Sequence, residues 1–244
     1  MSAQTQVETE KVDAGPLRAY VAKPPAKPGA TADGRHPGVL VLHELFGLND
    51  DMRRIARRFA DNGYVAMAPD LLSNRSKLQC LTRVLTFLAR GATDEAVAEV
   101  QAAREALAAR PDVDPERVAL AGFCMGGRFA LVLGTKAGVQ ATAVNYGAVP
   151  KDRSKLDGLC PVVASYGEAD RVFGPQGERL RKHLEALGVP HDYKSYPGVG
   201  HSFFSWDNAP GWMAKLPSPM HPGYSEAEAE DGWARMLAFF SEHV

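Results

Sequence analysis

The chain has 244 residues, 45% of them apolar, which is enough for one full-sized domain with its own core. Its net charge is −1 and both signs are scattered along it, so neither a nucleic-acid face nor a membrane-surface patch organises the molecule. Three cysteines (Cys80, Cys124 and Cys160), none in a CxxC pair, exclude a disulfide framework and argue against zinc, so no metal and no cofactor is expected. The apolar runs fall far short of the ~18–20 residues of a membrane span. The polar start MSAQTQVETEKVDAG lacks the basic-then-apolar pattern of a signal peptide. A cytoplasmic, reduced enzyme acting on a small molecule, monomeric or a small homo-oligomer, is the expectation.

Residues 1–15 read as poorly ordered or as an edge strand. Leu17 to Ala22 alternates as an early strand, and a Pro/Gly/Ala-rich surface loop follows. Pro37 to His43 is a continuous apolar run of the kind a buried parallel strand shows. Asn49 or Asp50 can cap the next helix, where Met52, Ile55, Ala56 and Phe59 recur at helical spacing and Gly63 ends the run. Tyr64 to Ala68 is the next strand, closed by Pro69-Asp70. Residues 71–92 read as a loop and then a helix from about Lys77 to Arg90. Asp94 to Arg110 is amphipathic through Val97, Val100, Ala103 and Leu107, and a turn is expected over Asp112–Pro115.

In the second half, strands are expected at Val118–Ala121, Ala141–Tyr146, Pro161–Tyr166 and His191–Tyr196, with a helix at Gly174–Leu187. Trp206 to Tyr224, rich in proline and tryptophan, is an irregular excursion. Ser225 to Val244 is the last helix, with Ser225 and Glu228 spaced as a capping box. Strands alternating with helices mean an α/β fold: a mostly parallel sheet covered on both faces, one domain over 1–244, with no insertion large enough for a lid domain.

The chemistry centres on Arg117 to Leu131, RVALAGFCMGGRFAL. An apolar strand runs into a Gly-x-Cys-x-Gly-Gly turn and straight into a helix. That is the nucleophile elbow of the α/β-hydrolase fold, with cysteine in the place of serine. Gly122 and Gly126 are expected to remove Cβ atoms around the strained nucleophile. The helix that starts there aims its amides at the sulfur, which favours thiolate and a developing oxyanion.

In an open α/β sheet, ligands sit beyond the carboxyl ends of the strands. The residues just past them are Glu44, Asp70, Cys124, Tyr146, Asp170 and His201. Three of these follow the order nucleophile, acid, histidine that the α/β-hydrolase triad requires: Cys124, Asp170 and His201. His201 is the expected general base. Asp170 is preferred to Glu168 as its orienting acid, because a Gly-x-x-Asp turn brings the fourth residue around the strand end; Asp70 reads as a turn residue. Glu44, directly after a buried strand, is expected in the same crevice as the sulfur. The backbone amides of Leu45 and Met125 are the expected oxyanion pair. Phe46, Phe203 and Trp206 are expected to line an acyl pocket, as is Trp212.

Together HELFGL (His43–Leu48), GFCMGG (Gly122–Gly127), YGEAD (Tyr166–Asp170) and GHSFF (Gly200–Phe204) resemble the dienelactone hydrolase family over nearly the whole chain. The resemblance implies cysteine-dependent hydrolysis of a cyclic enol-lactone by a Cys124–His201–Asp170 triad through a thioester, with Glu44 assisting thiol activation. It also implies arginines that hold the substrate carboxylate. Here Arg75 stands about one residue out of register for one of them, and Ser205 occupies the position of the other. The implied substrates widen accordingly to small esters and other lactones. The alternatives are a broader carboxylesterase or thioesterase on the same site, or a non-catalytic scaffold.

Overall fold

The computed structural model describes residues 8–25, 31, 34–206 and 218–244. All eight strands belong to one, mostly parallel sheet. The chain forms two compact units, Met1–Ala119 and Leu120–Val244, described in turn.

The first unit holds β1 (Glu8–Ala14), β2 (Leu17–Lys23), β3 (His36–Leu42), α1 (Asp50–Asp61), β4 (Val65–Asp70), α2 (Lys77–Arg90) and α3 (Asp94–Ala108). The strand order is β1-β2-β4-β3; β1, β2 and β4 are successively antiparallel and β3 lies parallel to β4. All seven residues of β3 are buried, as its unbroken apolar run requires. The Oδ1 of Asn49 accepts the Met52 N–H at 2.9 Å, and α1 buries Met52, Ile55, Ala56 and Phe59. Asn62, one residue before the expected glycine, caps its C-terminus. At α2, Ser76 and Gln79 form a reciprocal capping box that the sequence reading overlooks. The segment is hard to read because its leucines face outward: Leu78, Leu81 and Leu85 are 73%, 55% and 56% exposed.

Strand β5 (Val113–Phe123) starts five residues before the expected Val118. Its first half carries the exposed Pro115 and Glu116, so no apolar pattern marks it as strand.

The second unit continues with α4 (Met125–Leu133), β6 (Ala141–Asn145), a 3-10 turn (Arg153–Leu156), β7 (Val162–Gly167), α5 (Gly174–Leu187), β8 (His191–Tyr196) and α6 (Glu226–His243). Strands β6, β7 and β8 are parallel neighbours. Tyr146, Tyr166, Phe203, Phe204, Trp233 and Phe240 are fully buried and form its core. The capping box expected at Ser225 does not form. The Ser225 hydroxyl donates to the Glu228 carboxylate instead of accepting a helix amide. Residues 1–7 and 207–217, the latter including Trp212, lie outside the described residues.

Candidate active site

The second unit builds the elbow as the glycine spacing implies. Cys124 sits between β5 and α4 with φ 52° and ψ −111°, a left-handed conformation that costs a non-glycine residue about 1–3 kcal/mol. Its N–H donates to Asn145 O at 3.0 Å, and Gly127 N–H returns to Cys124 O at 3.1 Å. A Cβ on Gly122 would lie 2.3 Å from Gly126 O, and one on Gly127 would lie 2.8 Å from Gly147 Cα. The turn therefore needs glycine at 122 and at 127, the second where β6 ends. Gly126 contributes the carbonyl packed under Gly122. Met125 opens α4, where first-turn amides have no intrahelical acceptor, so its N–H suits the oxyanion role expected of it.

His201 follows β8. Its Nδ1 lies 2.7 Å from Asp170 Oδ2, with both side chains buried. Asp170 Oδ1 accepts the N–H groups of Val172 (2.9 Å) and Phe173 (3.0 Å), so the carboxylate is held at both oxygens. Glu168, the rival acid, is exposed, which decides between the two. The imidazole is flanked by the rings of Tyr146 and Phe173, at 4.8 and 4.7 Å between centroids.

His201 Nε2 is buried and lacks a formed hydrogen bond among the described residues. The Cys124 sulfur is nonetheless close enough to act on it electrostatically and as a loosely aligned acceptor. Burial opposes the imidazolium. The Cys124 sulfur and then Asp170 override that, and the His201 pKa is raised to about 10. A substrate or water can complete the loose contact.

Four described non-glycine residues of this unit have positive φ: Cys124, Tyr146, Ser202 and His221. Tyr146 touches His201, and Ser202 follows it. Such strain concentrates at sites that must hold a fixed geometry.

A match to the family model described as "Dienelactone hydrolase family" covers residues 17–244. The chain belongs to the dienelactone hydrolase family. A relative from Salmonella typhimurium named "Putative carboxymethylenebutenolidase" is 31% identical over 242 residues, covering 93% of this chain and 83% of that protein. The carboxymethylenebutenolidase of Rhodococcus opacus is 26% identical over 220 residues, 84% of this chain and 81% of that one. Among solved structures, a dienelactone hydrolase-like promiscuous phosphotriesterase from metagenomic libraries is 25% identical. It superposes with a TM-score of 0.81 over 97% of this chain and 98% of that one.

The remaining expected residues have other surroundings. In the first unit, Glu44 is buried directly after β3, and its carbonyl accepts His43 Nδ1–H at 2.5 Å. His43 Nε2 accepts the Leu71 N–H at 2.9 Å, and burial lowers the His43 pKa, so the ring is a neutral pin for the Glu44–Leu45 turn. Arg75, expected at a substrate carboxylate, is spent otherwise. Its guanidinium reaches Glu99 and the Ser73 carbonyl (3.1 Å), which ties the start of α2 to α3. Phe46 is half exposed, in the same turn region as Leu45.

In the second unit, Phe203 is a core residue rather than a lining one. Its ring is enclosed by Tyr146, Tyr196 and Phe204 at 5.5, 5.1 and 4.8 Å, and no part of it is exposed. Trp206 is 63% exposed and packs edge-on against Tyr224.

Sequence reading missed the role of His43, read there only as the end of a strand and the start of a motif, and the Phe173 ring beside His201; Tyr146 was placed at a strand end without a role. It also missed Arg128, one turn along α4 from Cys124. Arg128 Nε is buried with no partner among the described residues, and burial lowers its pKa. An arginine on the first turn of a helix gives no signal of that by itself.

Proposed function

We propose that this member of the dienelactone hydrolase family, a hydrolase acting on carboxylic ester bonds, cleaves small lactones or esters with Cys124 as nucleophile, His201 as acid and base, and Asp170 as the orienting acid. The observation that carries the reading is the doubly anchored Asp170 carboxylate against His201 Nδ1, with Nε2 left for the Cys124 sulfur.

The sulfur attacks the carbonyl carbon and the C=O electron pair moves onto oxygen, next to the Met125 amide. As the carbonyl re-forms, the C–O bond breaks and the leaving oxygen takes the His201 proton, giving a thioester. Water then gives a proton to His201 and attacks the thioester. The C–S bond breaks, and the sulfur returns to its pairing with His201 as the acid is released. A second oxyanion donor, Leu45 N–H, and a role for Glu44 in activating the thiol are part of the proposal. Their support is their position directly after β3 and the family resemblance of HELFGL. A cytoplasmic setting is proposed as well, supported by three free thiols and by the absence, among the described residues, of a helix able to cross a membrane.

The test is turnover of dienelactone beside a short p-nitrophenyl ester and a thioester, before and after iodoacetamide. Loss of activity with one equivalent of label on Cys124 is expected, and the ratio of rates ranks the substrate classes. Cys124→Ala with wild-type turnover would sink the mechanism. Glu44→Gln is expected to slow thiol activation, and equal activity in that variant removes Glu44 from it.

A further inference from the structure

The loop carrying Asp170 and the loop carrying His201 are both bonded, through backbone alone, to one short stretch that precedes α6. Arg171 N–H, next to the acid, donates to Pro219 O at 3.0 Å. His201 N–H donates to Met220 O at 2.8 Å, and Gly223 N–H donates back to His201 O at 3.1 Å. Ser225 N–H reaches Phe203 O at 3.2 Å. The stretch holds its own shape through His221 N–H to Ser218 O at 3.1 Å and through His221 itself, at φ 45°. It lies so close to the histidine loop that a Cβ on Gly200 would fall 1.7 Å from His221 O and 2.7 Å from Met220 O. No side chain fits there, so residue 200 must be glycine for the stretch to close.

We propose that residues 218–223 form a positioning strap that sets His201 against Asp170, with Gly200 as the residue that lets the strap seat. The inference rests on the triad reading above and extends it, since none of these residues touches the reacting atoms. Strand ends and their loops are the most mobile parts of such a fold. A histidine held by one side-chain bond would turn about its χ angles and carry its loop with it. Three backbone bonds from one strap give the two loops a common anchor, so the short Nδ1 to carboxylate contact needs no further adjustment when substrate arrives.

The decisive comparison is Gly200→Ala against Gly223→Ala. A Cβ at 223 meets nothing within 4 Å, and alanine keeps the N–H that bonds His201 O. Each variant is read by a thermal melt, by kcat and KM on a short ester, and by the pH dependence of Cys124 alkylation. Gly223→Ala should match the wild type. Gly200→Ala should still melt cooperatively, lose kcat with KM little changed, and alkylate about tenfold more slowly at neutral pH because the thiolate has lost its placed imidazolium. A Gly200→Ala protein that folds and keeps the wild-type alkylation profile overturns the proposal.

Should that variant fail to fold, hydrogen exchange on the wild type decides. The amides of Arg171, His201 and Gly223 should exchange as one group, and rates that differ by more than about tenfold among them refute a common anchor. Neither alkylation nor exchange requires turnover. A failure of the strap is therefore distinguishable from a failure of the catalytic reading, which would appear as wild-type turnover in Cys124→Ala.

Discussion

The Nδ1 of His201 lies 2.7 Å from Oδ2 of Asp170, while Oδ1 of the same carboxylate takes the N–H groups of Val172 and Phe173. One carboxylate thus fixes its own loop and the tautomer of the histidine at the same time. A proton on Nδ1 leaves Nε2 for the sulfur of Cys124.

Asp170→Asn tests that double duty. The amide can still accept at one atom, but its NH₂ would face either His201 Nδ1–H or a backbone N–H. The imidazole then turns to the wrong tautomer. Ester turnover should fall by roughly 10³–10⁴, as in other triads, with KM changed far less. Combining Asp170→Asn with Cys124→Ala should cost little beyond Cys124→Ala alone, because residues acting as one unit are not additive. Steady-state rates on one ester settle both points.

The pH dependence of stability follows from His201. Its folded pKa, about 10, stands above the ordinary 6.5, so the folded state binds the extra proton between those values. The stabilisation is complete below about pH 6.5 and is lost as pH rises through about 10. Calorimetric melts from pH 6 to 10.5 should show the wild-type midpoint falling more steeply than that of His201→Gln. Parallel curves would show that the imidazolium is not held.

The helix caps make a paired prediction. Asn49 accepts the Met52 amide, so Asn49→Ala should cost about 1 kcal/mol. Ser225 stands at the same position of α6 but accepts no amide, so Ser225→Ala should cost less than about 0.5 kcal/mol. Urea unfolding of the two variants measures the difference.

Arg128 is a cation set into the first turns of α4, with its Nε buried and without a partner among the described residues. Burial opposes the guanidinium charge, and a methionine of similar length would fill the space without it. Arg128→Met should leave stability unchanged or raise it by about 1 kcal/mol. A loss larger than that would show that the guanidinium is engaged in solution.

Local chemistry made much of this protein legible from its residues alone. The unbroken apolar run of β3, the helical spacing of Met52, Ile55, Ala56 and Phe59, and the glycines around Cys124 each describe a structure that neighbours within a few residues enforce. The order Cys124, Asp170, His201 could be read for the same reason: each residue follows a strand, and strand ends are visible in sequence. Matters of distance were not visible. Ser225 and Glu228 have the spacing of a capping box, yet the hydroxyl turns to the carboxylate. Arg75 stands near the register of a substrate-binding arginine, yet Glu99 on another helix claims it. Phe203 lies two residues from His201 in sequence, yet three rings enclose it. Exposed Pro115 and Glu116 hid the first half of β5. In each case the outcome depends on which distant side chain arrives first at a polar or apolar group, a contest that packing decides. Asp170 prevailed over Glu168 in the same way: only one of them is buried where a histidine can reach it.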